Sequence, residues 1–283
     1  MSTQSRPQLD ELMRHIEENW SNLNTLFDDL AARNGWDQQH GTDWTFADVP
    51  YHLAYCNQEI LIRGIKAGPN LPDGEQELLA SADAINAWNA RKFAERPAGQ
   101  TAAQSVSQWR RTCDEIRQLT SEMTDTDLDR PFWMPLFFGW RDVREGFLFT
   151  RAHDWGEFMQ LRIYMGREDP IPSAGVTRAY LKRMLGSFPL FFNPEAAAGR
   201  QFTVVMAFAD PGVGAFSFQV ADGAVAFVES RLPQADLVMT QSAETFLKTL
   251  TGMLDPAEAI QSGLVQVNDL DSLATFGQLF PLP

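Results

Sequence analysis

The spacing of apolar residues changes part-way along the chain, and that change limits the fold more than any other feature. Up to about Arg167 apolar residues recur at alternating steps of three and four, the repeat of a helix with one buried face. Beyond Gly175 several runs alternate at every second residue, the repeat of a strand with one buried face. One kind of layer cannot satisfy both periods, so a helical part is followed by a part built on a sheet. The segment Arg167-Glu-Asp-Pro170-Ile-Pro172-Ser-Ala-Gly175 has the polar, turn-forming composition of a boundary between them.

In the helical part, Leu9, Met13, Ile16, Trp20, Leu23, Phe27 and Leu30 form one apolar stripe. A second helix opens after Thr45 or Asp48, tolerates Pro50 in its first turn and runs to about Lys66, where Gly68-Pro69 stops it. A short helix from Ala84 to Glu95 precedes a longer one carrying Val106, Trp109, Cys113, Ile116 and Met123, and a fourth long helix spans about Asp142 to Gly166. Four long helices predict an up-and-down bundle. The segment Phe132 to Trp140, which includes Trp133, Phe137 and Phe138, is too apolar for open water and is expected to lid the bundle or meet the second domain.

Past the boundary, a helix near Thr177 to Phe192 precedes strand-like runs at Phe202 to Ala209, Ala215 to Val220, Ala224 to Glu229, Leu237 to Thr240 and Leu264 to Val267. Asp222-Gly223 is a hairpin signal. Helices are expected at Ala243 to Met253, at Pro256 to Gln261 and at the end, where Leu270, Leu273, Ala274, Gly277 and Phe280 share a face. The fold class is therefore multi-domain: an all-α four-helix bundle over residues 1–168, a linker over 169–177, and an α+β domain with a mainly antiparallel sheet over 178–283.

A net charge of -14 repels a phosphate backbone, and with no Lys/Arg-rich stripe a nucleic-acid partner is not expected. No apolar run approaches the length of a membrane span, and the polar start of the chain carries no secretory signal, so the expected location is the cytoplasm. Two cysteines, Cys56 and Cys113, give no disulfide framework and read as small core residues.

On the fourth helix, Gly146, Thr150, His153, Glu157, Gln160 or Leu161, and Tyr164 share the stripe that should face the core. Burying an ionised glutamate costs several kcal/mol unless a cation or hydrogen-bond donor meets it. His153 and Glu157, four apart, reach one ion from one helical face, and His52 supplies a third ligand from the neighbouring helix. Cys56 and Glu59 follow His52 by four and seven positions and, with Trp44 and Gln160, are the expected lining of the same cavity.

The segment Trp44-Thr-x-x-Asp48-Val-x-x-His52-Leu, followed by His153-x-x-x-Glu157-x-x-Gln160-Leu161, resembles the DinB/YfiT-like metalloprotein superfamily, which includes the mycothiol-dependent maleylpyruvate isomerases. Ile85-Asn-Ala-Trp88-Asn89 to Arg96 is similar to the segment those proteins carry before their third long helix. The resemblance spans roughly Gln8 to Arg167 and implies a bundle whose divalent metal is held by three side chains, usually all histidine. Glu157 stands where that pattern has its third histidine. Two imidazoles and a carboxylate suit zinc first, with nickel, iron and manganese as alternatives, and three protein ligands leave a position for water or a low-molecular-weight thiol such as mycothiol.

Ala235-Asp236-Leu-Val-Met-Thr240, then Phe246 to Pro256 and Ser262-Gly263-Leu-Val265-Gln-Val267, resembles the sterol carrier protein type-2 fold over about Ala174 to Pro283. That resemblance implies a five-stranded sheet backed by helices around an apolar cavity. In the isomerases such a domain contributes a basic residue, for which Arg178, Arg183, Arg200 and Arg231 are available here. The functional expectation is a metal-dependent thiol transferase, isomerase or hydrolase acting on a small-molecule substrate, with no catalytic residue assigned. The alternative is a non-catalytic carrier of an apolar or lipid-like ligand with a structural or vestigial metal site, and a homodimer formed through the bundle is a further expectation.

Overall fold

The computed structural model describes residues 6–41, 44–136 and 139–281, which fall into two compact units, one ending at Ile171 and the other beginning at Pro172. The first unit opens with α1, Pro7–Arg33, which starts on a proline that costs it no hydrogen bond and ends on Asn34 in the left-handed region. Its buried face carries Leu9, Ile16, Trp20, Leu23, Phe27 and Leu30, the stripe expected from the spacing.

A two-residue ladder pairs β1, Gln39–His40, with β2, Trp44–Thr45. α2, Val49–Cys56, runs into a widened π turn over Asn57–Ile62 and continues as α3, Arg63–Ala67. α4, Ala82–Ala94, is capped by Ser81, and α5, Ala102–Ser121, by a reciprocal Thr101/Gln104 box. β3, Pro131–Met134, pairs with β4, Gly139–Asp142, and α6, Val143–Tyr164, follows with Asp142 as its cap. α1 packs along α6 and α2 along α5.

The apolar segment before α6 is thus a hairpin, and it inserts Phe132 into the bundle with no exposed surface. Phe137 and Phe138 lie outside the described residues. Gly146 on α6 makes room for that ring: a Cβ there would fall 2.7 Å from it. α6 is also buried nearly all round, with Arg151 and Arg162 covered as well as Phe147, Trp155 and Phe158, so its polar residues do not lie on a single inward stripe.

In the second unit α7, Ala174–Leu185, begins inside the stretch expected to be linker. β5, Phe202–Phe208, β6, Gly214–Ala221, β7, Ala224–Val228, and β8, Leu237–Gln241, precede α8, Ala243–Leu250, α9, Pro256–Gln261, β9, Gln266–Val267, and α10, Leu270–Leu279. The sheet order is β7-β6-β5-β8-β9. It is mixed: β8 runs parallel to β5, and the other pairings are antiparallel. Asp222 and Gly223 both have positive φ, 52° and 74°, which turns β6 tightly into β7 as the dipeptide predicts.

Two readings of this unit are corrected. α10 turns Leu273 to the apolar cavity and Phe280 is buried, as expected, but Phe276 and Leu279 are the other buried residues while Leu270, Ala274 and Gly277 are exposed, so its inward face is only partly the one the spacing suggested. Arg178, one of four arginines available for a site, instead donates to the carbonyls of Val213 and Glu229 and lies over the Phe216 ring at 4.6 Å. That arginine fastens the sheet.

Candidate metal centre

The motif residues before α2 shape the turn that aims His52. Asp48 accepts from the Thr45 amide and hydroxyl at 2.8 and 2.9 Å and pairs with Arg96, while its carbonyl takes the His52 amide into the first helical turn. Trp44 packs its ring 4.7 Å from that of His52 and 5.0 Å from Phe93. Trp44 and Asp48 therefore position the histidine by packing and by backbone geometry.

Each histidine is fixed by what its far nitrogen touches. His52 Nδ1 lies 2.6 Å from the Tyr55 hydroxyl, whose proton is given to Asn89 Oδ1 at 2.9 Å, so the hydroxyl accepts and Nδ1 carries the hydrogen. His153 Nδ1 lies 3.2 Å from Asp154 Oδ1, an acceptor only, and Trp20 Nε1 donates to the other oxygen of that buried carboxylate at 2.8 Å. Both Nε2 atoms are consequently bare lone pairs. They face each other at 2.9 Å, and Glu157 Oε1 lies 3.4 Å from His52 Nε2 and 3.8 Å from His153 Nε2. Glu157 Oε2 is buried with no hydrogen-bond partner among the described residues.

Three acceptors thus converge with no donor among them, an arrangement that calls for a cation. Two atoms each 2.0–2.1 Å from one ion sit about 2.9 Å apart at a right angle and about 3.4 Å apart at the tetrahedral angle, close to the spacings found. Outer partners that hold Nδ1–H and leave Nε2 free are those a metal-ligating histidine needs. The residues fit a divalent ion.

Without an ion, protons take its place. Burial lowers the pKa of His52, but the Cys56 thiol and the Glu157 carboxylate outweigh it and push it up to about 9. His153 is raised well above the ordinary value against the same burial, by Cys56, Asp154 and Glu157. Burial would raise Glu157, yet His52 and His153 bring it down to about 2. Cys56 Sγ lies 3.8 Å from both His52 ring nitrogens, and the two imidazoles lower that thiol to about 7 although burial opposes them.

Among the described residues, one ligand atom from each of His52, Cys56 and His153 lies within 4.8 Å of the others, and Glu157 meets the two imidazoles but not that sulfur. Trp44, Gln160 and Glu157 line a cleft of about 570 Å³ that also takes in His40, Asn89 and Phe93. Glu59 is a correction: it pairs with Arg63 and Lys92 and lines a different pocket, because the π turn rotates it away from the face that carries His52 and Cys56. Sequence reasoning missed Asp154, Tyr55, Asn89 and His40. Asp154 adjoins His153 and Tyr55 follows His52 by three, the spacing of neighbours on a helix, both usable signals; Asn89 and His40 have no spacing that marks them. His40 is buried with Nε2 unpartnered, and burial lowers its pKa.

A family profile described as the DinB superfamily matches residues 15–156, half of the chain. The chain belongs to the DinB superfamily. No curated protein matches this DinB-superfamily chain. Among solved structures, a mycothiol-dependent maleylpyruvate isomerase is similar at 11% identity and a TM-score of 0.47, over 91% of this chain and 92% of that one. The sec-alkylsulfatase Pisa1 from Pseudomonas sp. is similar at 15% identity and a TM-score of 0.31, over 83% of this chain and 43% of the sulfatase. A double mutant of the same sulfatase gives 16% identity and a TM-score of 0.33, over 82% and 32%. The chain thus spans less than half the length of the sulfatase. Likeness at this level says nothing about chemistry.

Proposed function

We propose that this DinB-superfamily chain is a metal-dependent enzyme in which His52, His153 and Glu157 hold a divalent ion, zinc first, beside a cleft that takes a small-molecule substrate. The observation that carries the reading is the convergence of two imidazole Nε2 atoms, both turned inward by partners on Nδ1, on a buried carboxylate whose Oε2 has no hydrogen-bond partner among the described residues. Such an ion lowers the pKa of a bound water or thiol and polarises a carbonyl. Asp154 and Tyr55 hold the two imidazoles in register, Trp44 and Phe93 wall the cleft, and Asn89 and Gln160 offer it hydrogen bonds. The reaction is a thiol-dependent transfer or isomerisation, or a hydrolysis; the thiol version is supported by the sequence motifs alone.

A second reading has one observation in its favour. The second unit contains an apolar cavity of about 190 Å³ lined by residues including Phe188, Met206, Met239, Phe246 and Phe276, as a carrier of an apolar ligand requires. With the sterol-carrier resemblance, it supports a domain over 178–283 that binds such a ligand.

Native mass spectrometry of the full, untagged chain tests both. Stoichiometric metal is expected, lost in His52→Ala and Glu157→Ala. Wild-type protein that takes up no divalent ion after loading rejects the enzyme reading, and a co-purified apolar mass in the absence of metal selects the carrier.

A further inference from the structure

The second unit carries a polar side chain where its own pattern calls for an apolar one. Residues along β8 alternate between the two faces of the sheet, so Leu237, Met239 and Gln241 share a face, and all three are buried. Leu237 and Met239 suit that face; a carboxamide does not. Gln241 is 6% exposed and lines the cavity of about 190 Å³ together with Met206, Met239, Phe246 and Phe276. Its backbone carbonyl accepts from the Ala209 amide at 2.9 Å, but its side chain makes no hydrogen bond among the described residues. Thr249, the other polar residue of the wall, gives its hydroxyl proton to the Phe246 carbonyl at 3.0 Å, and no charged residue lines the cavity among those described. A buried carboxamide left unpaired is costly. Water is a poor remedy, because a trapped water needs two to four polar partners and this wall offers only the carboxamide and the Thr249 oxygen. An apolar cavity of about 150 Å³ accepts benzene, so this one has room for a ring with a substituent.

We propose that Gln241 is the specificity-determining residue of this cavity, and that the ligand is a small, uncharged, mainly apolar molecule carrying one hydroxyl or carbonyl group. This rests on the reading of the second unit as a carrier of an apolar ligand and narrows it. A plain hydrocarbon leaves the carboxamide unpaired, and a carboxylate would enter a cavity that offers it no cation. Gln241 Oε1 accepts from a hydroxyl and Nε2 donates to a carbonyl, so one side chain serves either head group.

Toluene and phenol test this, because they are close in size and differ in the hydroxyl. Toluene binding to the full chain is followed by calorimetry, with phenol and benzoate titrated as competitors. Gln241→Met keeps the length of the side chain and removes its carboxamide. The ratio of the toluene to the phenol dissociation constant is expected to fall about 10-fold in that variant, and benzoate is expected to displace toluene from neither form. A ratio that moves less than about twofold while toluene still binds overturns the role of Gln241 and leaves the apolar cavity standing. Benzoate that competes as well as phenol overturns the uncharged ligand. Should none of the three bind, the proposal and the carrier reading fall together. If Gln241→Met does not fold, the side-chain amide resonances of Gln241 in the wild-type chain decide: phenol is expected to shift them and toluene to leave them nearly in place, and an equal response to both overturns the contact.

Discussion

His153 does not act alone at the residue scale, because its orientation is set by Asp154, and that carboxylate is in turn held by Trp20. Asp154→Asn keeps the shape but not the chemistry: the amide oxygen can accept from only one of the two N–H groups the carboxylate serves, and the amide nitrogen then opposes the other. Metal affinity is expected to fall about 10- to 100-fold with the fold retained. Competition against a zinc-binding dye measures it, and a change below about threefold rejects the role. That His52, His153 and Glu157 come close together was legible in the sequence, because their spacing and a known motif coincide. The roles of Asp154 and Tyr55 were not, since what they do is visible only from which nitrogen they touch. Cys56 was legible as a neighbour of the site by its four-residue spacing, yet a buried cysteine is ordinarily core, and only its distance to the imidazoles separates it from Cys113.

Helical period told most of the story at the scale of elements, and it failed where an element is short or irregular. α1 and α5 follow their stripes and α6, buried nearly all round, does not, whereas β1 with β2 and β3 with β4 are two to four residues long, too short for alternation to stand out. Glu59 was misplaced because seven residues return a regular α-helix to the same face, and the π turn between Asn57 and Ile62 advances less rotation per residue. Gly146 was read as part of a polar stripe, but its reason is the Phe132 ring. Gly146→Ala puts a methyl group 2.7 Å from that ring, in a helix already wedged between α1 and the hairpin. The expected cost is about 1–3 kcal/mol, read as a lower urea midpoint with an unchanged slope. An unshifted midpoint would mean that Phe132 has another place to go.

For the whole molecule, the break in periodicity separates the two units correctly in kind, but a period of two says nothing about strand direction, so the parallel pairing of β5 with β8 could not be read from it. The division has a practical consequence: all eight tryptophans lie between Trp20 and Trp155, so tryptophan fluorescence reports the unfolding of the unit that carries the centre. In metal-free protein, burial works against a charged His52, but its anionic neighbours raise it from 6.5 to about 9. Between those values the folded state binds more protons at His52, and His153 is raised in the same direction, whereas Cys56, lowered from 9.0 to about 7, binds fewer; the two imidazoles outweigh the one thiol, so stability falls as pH rises. The contribution is complete below pH 6.5 and is lost as pH passes through about 9. Glu157 adds nothing to that slope, since its depressed value confines its effect to acid, where stability is lost as pH falls toward about 2. A bound ion replaces the proton on Nε2 and removes the alkaline decline. The tryptophan melting temperature of chelated protein is therefore expected to drop from pH 6.5 to 9 while that of zinc-loaded protein does not. Parallel curves for the two forms would show that proton and metal do not compete for His52, and the centre would then have to be built without it.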